Sequence, residues 1–197
     1  MNNTSNVTNT HNGHEFVDLG LPSGTLWATC NVGATSPEQA GLYFAFGETK
    51  GFTAEQVENG ERVFDKVNYK ARNILKNLTL EQDAARANLG GNWQMPIYDE
   101  WKELFYNCNV MWTDDYNGTG VKGHILTSKV NGKSVFLPAA GLCYGSSVRG
   151  VGSGGDYWSA SWDSSSFAWY MGFDSGEQGV YCSSRCCGFT VRGVCKR

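Results

Sequence analysis

Charge, proline and long apolar runs are all scarce in this chain, and each shortage removes a class of protein. Charged residues make up 18% of the 197 and prolines number only 4, whereas soluble domains average roughly 25% charged. The net charge is −3 at pH 7, which leaves no basic footprint for nucleic acid. The longest apolar runs, such as Val135 to Ala140, fall far short of the roughly 20 residues of a membrane span, so no membrane insertion is expected. Met1 to Thr10 holds neither a positive cluster nor an apolar stretch. It therefore does not read as a secretory signal; either export takes another route or the numbering starts after a removed leader. No C-x-x-C pair occurs among the seven cysteines, and His11, His14 and His124 lie far from the cysteine cluster. Four converging zinc ligands are missing. Glu-Pro-Asn and Gln-Pro-Asp tripeptides are absent, and no group of acidic and amide side chains supplies the six to eight oxygens that calcium takes. Asp114, Asp115 and Asn117 read as an acidic turn. No metal and no cofactor is expected.

What remains is glycine-rich and aromatic-rich: 25 glycines, 13% aromatic and 41% hydrophobic residues. That length suits one domain with a substantial core. Residues 1–14 read as a polar, disordered lead-in and residues 15–197 as a single domain. Phe16–Leu19, Leu26–Thr29 and Leu42–Phe46 are strand-like runs between turn residues. Residues 48–70 read as a long loop with one short turn of structure. A first helix is expected over Leu80–Leu89, capped by Thr79 and stopped at Gly90-Gly91, and a second over Tyr98–Cys108. Ile125–Lys129 and Ser134–Leu137 form a hairpin pattern around Asn131-Gly132. Strands, two helices, then strands again indicate an α+β fold with short, mostly antiparallel strands. Cys30, Cys108 and Cys143 read as small buried hydrophobes.

The segment from Gly141 to Gly193 has the composition of a binding surface. Of its 53 residues, 11 are Gly and 11 are Ser, and no lysine occurs between Lys133 and Lys196. Lysine is costly to immobilise and desolvate, whereas Tyr and Trp offer large contact area with few rotors. Tyr, Trp, Ser and Gly together are the composition of antibody loops. Trp158, Trp169, Phe173 and Phe189 are assigned to the core, while Phe167, Tyr170 and Tyr181 break the alternation of their neighbours. Arg185 and Arg192, set between apolar residues, are expected to make structural hydrogen bonds. Cys182, Cys186 and Cys187, among Ser183 and Ser184, serve no packing pattern.

Several longer strings occur in a fixed order: Glu15-Phe-Val-Asp-Leu-Gly-Leu-Pro-Ser-Gly-Thr-Leu-Trp-Ala-Thr-Cys-Asn-Val-Gly-Ala34, Tyr43-Phe-Ala-Phe-Gly-Glu-Thr49, Trp93-Gln-Met-Pro96 and Phe136-Leu-Pro-Ala-Ala-Gly141. Tyr157-Trp-Ser-Ala-Ser161 and Arg185-Cys-Cys-Gly-Phe-Thr-Val-Arg192 follow. From Glu15 onward the chain resembles the major paralogous domain of gut bacteria and their phages, a C-type-lectin-like fold related to the formylglycine-generating enzymes. Its C-terminal end resembles the variable proteins of diversity-generating retroelements.

The resemblance implies that a reverse transcriptase rewrites the gene's 3′ end at adenines, chiefly in AAC codons. Such changes reach Ser, Tyr, Phe, Cys, Gly and Asp but not Trp, Met, Lys, Glu or Gln. Residues 141–193 would then be a variable ligand-binding region. Its varied positions would be Tyr144, Asp156, Ser164, Ser166, Phe167, Tyr170, Gly172 and Asp174. Gly179, Tyr181, Cys182, Ser183, Ser184, Cys186 and Cys187 would complete the set, with the thiols as products of codon randomisation. Trp158, Trp169, Phe173, Arg185, Phe189 and Arg192 would be scaffold, as would Met171, Glu177 and Gln178. The implied function is recognition, without catalysis, of a protein or glycan on a cell surface, by a domain carried on a virion tail or a bacterial surface. Self-association stays open. Two departures stand out: Ile97 occupies the position of an expected Ser or Thr cap, and Gly193 replaces a frequent Pro and could itself be varied. Two alternatives remain. One is an enzyme of the formylglycine-generating type using Cys182 and Cys187, against which stand the short chain and Gly188-Phe-Thr-Val in place of the family's Gly-Phe-Arg-Cys. The other is a sugar-binding module of fixed specificity.

Overall fold

The computed structural model describes residues 9–67 and 76–196. Among these, fourteen strands and three α-helices form a mixed α+β protein, and no helix is long and apolar enough to cross a membrane. The chain opens with a hairpin of β1 (Thr10–His11) and β2 (His14–Asp18), turned by Asn12 and Gly13 at φ of 49° and 81°. The expected disordered lead-in therefore does not run to residue 14; residues 1–8 lie outside the description. The Trp93 indole donates to the His11 carbonyl at 2.9 Å and the Asn12 amide to Leu89 at 2.6 Å, which ties this hairpin to the core.

Strand β3 (Thr25–Asn31) pairs with β2, and β4 (Tyr43–Phe44) follows. Within the expected loop over 48–70 lies a helix, α1 (Ala54–Glu58). It is set by a reciprocal cap between Thr53 and Gln56, which satisfies two otherwise unpaired N–H groups, and Val57 anchors it beneath Tyr43 and Phe64. Residues 68–70 of that loop are outside the description.

The first expected helix is shorter than Leu80–Leu89. A 3-10 turn occupies Leu80–Gln82, and α2 spans Ala84–Leu89 with Asp83, not Thr79, as its cap. The Asp83 carboxylate accepts from Arg86 N–H at 2.9 Å and from Met95 N–H at 2.8 Å, so the residue that starts the helix also holds the following loop. Burial pushes the Asp83 carboxyl above its ordinary range.

Helix α3 (Tyr98–Asn107) solves its missing cap from a distance. The Ile97 N–H donates to Glu100 at 2.9 Å, and the Tyr98 N–H donates to the Ser161 hydroxyl, 63 positions away in sequence, at 3.0 Å. Glu100 is buried and pairs with Lys196 at 2.7 Å.

Strands β5 (Cys108–Thr113), β6 (Gly123–Ser128) and β7 (Ser134–Pro138) make an antiparallel meander, and β8 (Leu142–Tyr144) pairs with β9 (Ser147–Arg149). After these come β10 (Gly154–Trp162), β11 (Phe167–Asp174), β12 (Gln178–Ser184), β13 (Phe189–Thr190) and β14 (Arg192–Lys196). One sheet has the order β1-β2-β3-β14, so the last strand closes against the first part of the chain; the largest has the order β12-β11-β10-β13-β4.

Within these sheets β3 and β10 send side chains into hydrophobic clusters on both of their faces. On β3, Leu26 and Ala28 enter one cluster with Trp93, Trp158 and Phe189, while Trp27 enters a second with Trp101, Tyr157, Met171 and Phe173. Trp27 and Trp101 meet at 4.7 Å between ring centres. Arg192 lies between the layers, fully buried. Its guanidinium donates to Asn31 Oδ1 and to the carbonyls of Ala28, Thr29 and Phe136 at 2.6–2.9 Å. That many acceptors offset the cost of burying a permanently protonated group.

Candidate binding surface

The surface is built by the last two strands of the large sheet. Strands β11 and β12 run antiparallel, with Tyr170 opposite Tyr181 and Gly172 opposite Gly179. Asp174 makes the turn between them: its Oδ1 accepts from Gly176 N–H at 2.7 Å and Glu177 N–H at 2.9 Å. Those two donors hold the Asp174 carboxyl below its ordinary value, so it remains an anion. A strand's side chains alternate between faces. Met171, Phe173 and Val180 accordingly face the cluster around Trp101, and Tyr170 and Tyr181 share the opposite face.

On that opposite face Asp156, Tyr170, Gly172, Asp174, Glu177 and Tyr181 line a concavity of about 160 Å³. The tyrosine rings are 5.9 Å apart and tilted by 43°. Tyr170 is half-buried, with Phe189 behind it at 4.8 Å. Tyr181 is 41% exposed. The glycines make room for these rings: a Cβ at Gly172 would stand 2.9 Å from Tyr170, and one at Gly179 would stand 2.8 Å from Tyr181. Burial raises the Asp156 carboxyl to about 7 and the Tyr170 hydroxyl to about 12.

The expected varied positions spread along β11 and β12 and onto a separate hairpin. Asp156, Tyr170, Gly172, Asp174 and Tyr181 converge at the turn end of the strands. Ser164, Ser166 and Phe167 lie at the opposite end, where Phe167 pairs with Ser184 and is 44% exposed. Tyr144 is on the separate β8–β9 hairpin, with Arg149 stacked 5.6 Å from its ring. Gly179, Ser183, Ser184 and Cys186 are half-buried, whereas Gly172 and Cys187 are buried. Gly193 cannot vary freely: a Cβ there would lie 2.7 Å from Leu89 and 3.2 Å from Trp93.

Trp158, Phe173, Arg185, Phe189 and Arg192 are buried, and the Arg185 guanidinium stacks 4.6 Å from the Trp162 ring. Trp169 departs from its core assignment. It is only half-buried, meets Tyr98 edge-to-face at 4.8 Å and lines a second cleft of about 400 Å³ beside the start of α3. Glu177, expected as scaffold, lines the concavity; its place three residues after Asp174 in a tight turn is the available signal.

All seven cysteines are free thiols, and Cys30 is half-buried rather than buried. Cys182 is exposed and registers with Trp169. Cys187 packs in the cluster with Trp158 and Phe189, where burial pushes its thiol up, and the Ser183 hydroxyl reaches its sulfur at 3.7 Å. Among the described residues, no three His, Cys, Asp or Glu side chains are placed to hold a metal ion. The chain matches no family model, no curated protein and no solved structure.

Proposed function

We propose that this protein is a recognition domain of the C-type-lectin-like kind, related to the variable proteins of diversity-generating retroelements. On this reading β11 and β12 display its ligand surface to a protein or glycan on a cell surface, and the domain rides on a virion tail or a bacterial surface. The observation that carries the reading is the pair Tyr170 and Tyr181, seated on Gly172 and Gly179 at one side of a sheet whose central strand β10 is buried from Tyr157 to Trp162. Rigid aromatics anchored by small neighbours give contact area at low entropic cost. The separation of exposed Cys182 from core-packed Cys187 favours recognition over a thiol enzyme.

The test displays the domain multivalently on glycan and bacterial-cell arrays, comparing Tyr181→Ala with Tyr106→Ala, a control at a tyrosine that is 72% exposed on α3. Loss of binding in the first variant and retention in the second is the expected result. Equal binding by both removes the β11–β12 surface from the reading. Independently, the native locus is expected to hold a near-copy of the segment encoding residues 141–193, mismatched only at adenines.

A further inference from the structure

We propose that the concavity at the turn end of β11 and β12 receives a cationic alkylammonium head group, held among Asp156, Asp174 and Glu177 with Tyr170 and Tyr181 as aromatic walls. The inference rests on the recognition reading and names the chemistry of its ligand. Three observations carry it.

The first is size. About 160 Å³ is well below the roughly 300–1,000 Å³ of pockets that enclose a whole small molecule. It suits the end of a side chain or a head group, with the rest of the ligand lying across the strands.

The second is charge. The lining holds three carboxylates and no Lys, Arg or His. Asp174 is a fixed anion because two backbone N–H groups point at it. Among the described residues no hydrogen bond or ion pair reaches the Asp156 carboxylate, and burial is the one cause of its raised value. With its value raised to about 7, the half-buried Asp156 carboxyl is about half protonated at neutral pH, and an arriving cation selects its ionised form.

The third is the wall. Tyrosine faces attract cations by roughly 0.5–2 kcal/mol depending on desolvation, and the two rings stand on either side of the bare backbone at Gly172, where a Cβ would come within 3.3 Å of Asp156 and of Tyr181. Glycine there keeps the concavity open.

A pH signature follows. Besides the lining residues, Cys182 and Cys187 lie within electrostatic reach of Tyr170, and His124 bonds the Asp174 carbonyl through Nε2 at 2.9 Å. Burial lowers the His124 value, which favours its neutral form. Cation binding selects ionised Asp156, so affinity should rise with pH through about 7, by roughly tenfold between pH 6 and pH 8.

The experiment titrates the full chain with tetramethylammonium and butylammonium, and with neutral 3,3-dimethylbutan-1-ol as the isosteric control. The ring signals of Tyr170 and Tyr181 are followed by NMR. The expected result is a saturable shift with both cations and none with the alcohol, about tenfold tighter at pH 8 than at pH 6. Asp156→Asn should lose the pH dependence and Gly172→Val the binding, each checked for a native spectrum. If Gly172→Val fails to fold, the Asp156→Asn comparison decides alone. The proposal is overturned if the alcohol binds as well as the cations, if no cation shifts the tyrosine signals, or if Asp156→Asn keeps the wild-type affinity and pH profile. Should the cations fail while Tyr181→Ala still abolishes array binding, the head-group inference falls and the recognition reading stands. If array binding is indifferent to Tyr181→Ala while the cations bind, the recognition reading falls.

Discussion

Strands β10 and β12 share one sheet and nearly one composition, yet they have opposite fates. From Tyr157 to Trp162 every residue of β10 is buried, whereas no residue of β12 is. Both draw on Gly, Ser and aromatic residues. The difference is position: β10 lies between β11 and β13, while β12 is at the edge, with one neighbour. A tyrosine in the middle of a covered sheet becomes core, as Tyr157 does, with its hydroxyl donating to the Pro138 carbonyl at 2.8 Å. The same residue at the edge becomes an anchor available to a partner. Composition identifies a region able to do either, and strand order assigns the roles.

The sharpest way to break this comparison is to truncate one aromatic on each strand. Trp158→Ala should cost about 3–5 kcal/mol, as for other buried large-to-small changes, because Trp158 is fully buried and stacks 4.2 Å from Phe189. Chemical denaturation reads this directly. A loss below about 1 kcal/mol would make β10 no more core-like than β12.

Next in size is a pH effect. The Asp156 carboxyl ionises near 3.8 in the unfolded chain and near 7 in the folded one. The unfolded state releases its proton first, so stability should fall as pH rises from about 4 to about 7 and stay level above. The fall is on the order of 2–4 kcal/mol, and Asp156→Asn should flatten it. A curve unchanged in the variant would show that Asp156 is solvated.

Tyr170→Ala should cost roughly 1–2 kcal/mol, since its ring contacts Phe189, while Tyr181→Ala should stay within about 0.5 kcal/mol. The pair is therefore not energetically uniform, and only Tyr181 is expected to separate binding from stability. Ser161→Ala should cost about 1 kcal/mol through the lost α3 cap. Smallest in energy is a reactivity contrast: Cys182 should be labelled by a thiol reagent in the native state, and Cys187 only on unfolding.

Much of the architecture was legible in residue patterns. The hairpin over β6 and β7 follows from Asn131-Gly132, with Gly132 at φ 72°, and α3 follows from its apolar spacing. Helix α1 is legible only as one short turn within a loop, because five residues are too few for periodicity to register, although its cap is written in Thr53 and Gln56. The shift of the α2 cap from Thr79 to Asp83 depended on Met95, whose N–H needed the same carboxylate. At the candidate site, Tyr170 and Tyr181 stood out as breaks in alternation. The split of the expected positions between two ends of β11, and the entry of Glu177, were invisible because cross-strand register is a long-range property.

By itself the sequence determined the mixed α+β class, most of the aromatic core and the segment rich in Gly, Ser and aromatic residues, since these depend on composition, local spacing and turn chemistry. Only the tertiary structure decided which aromatics of that segment are buried and which are offered. That choice depends on how many neighbours a strand acquires and which backbone lies beneath each ring, and both arise from residues far apart in the chain.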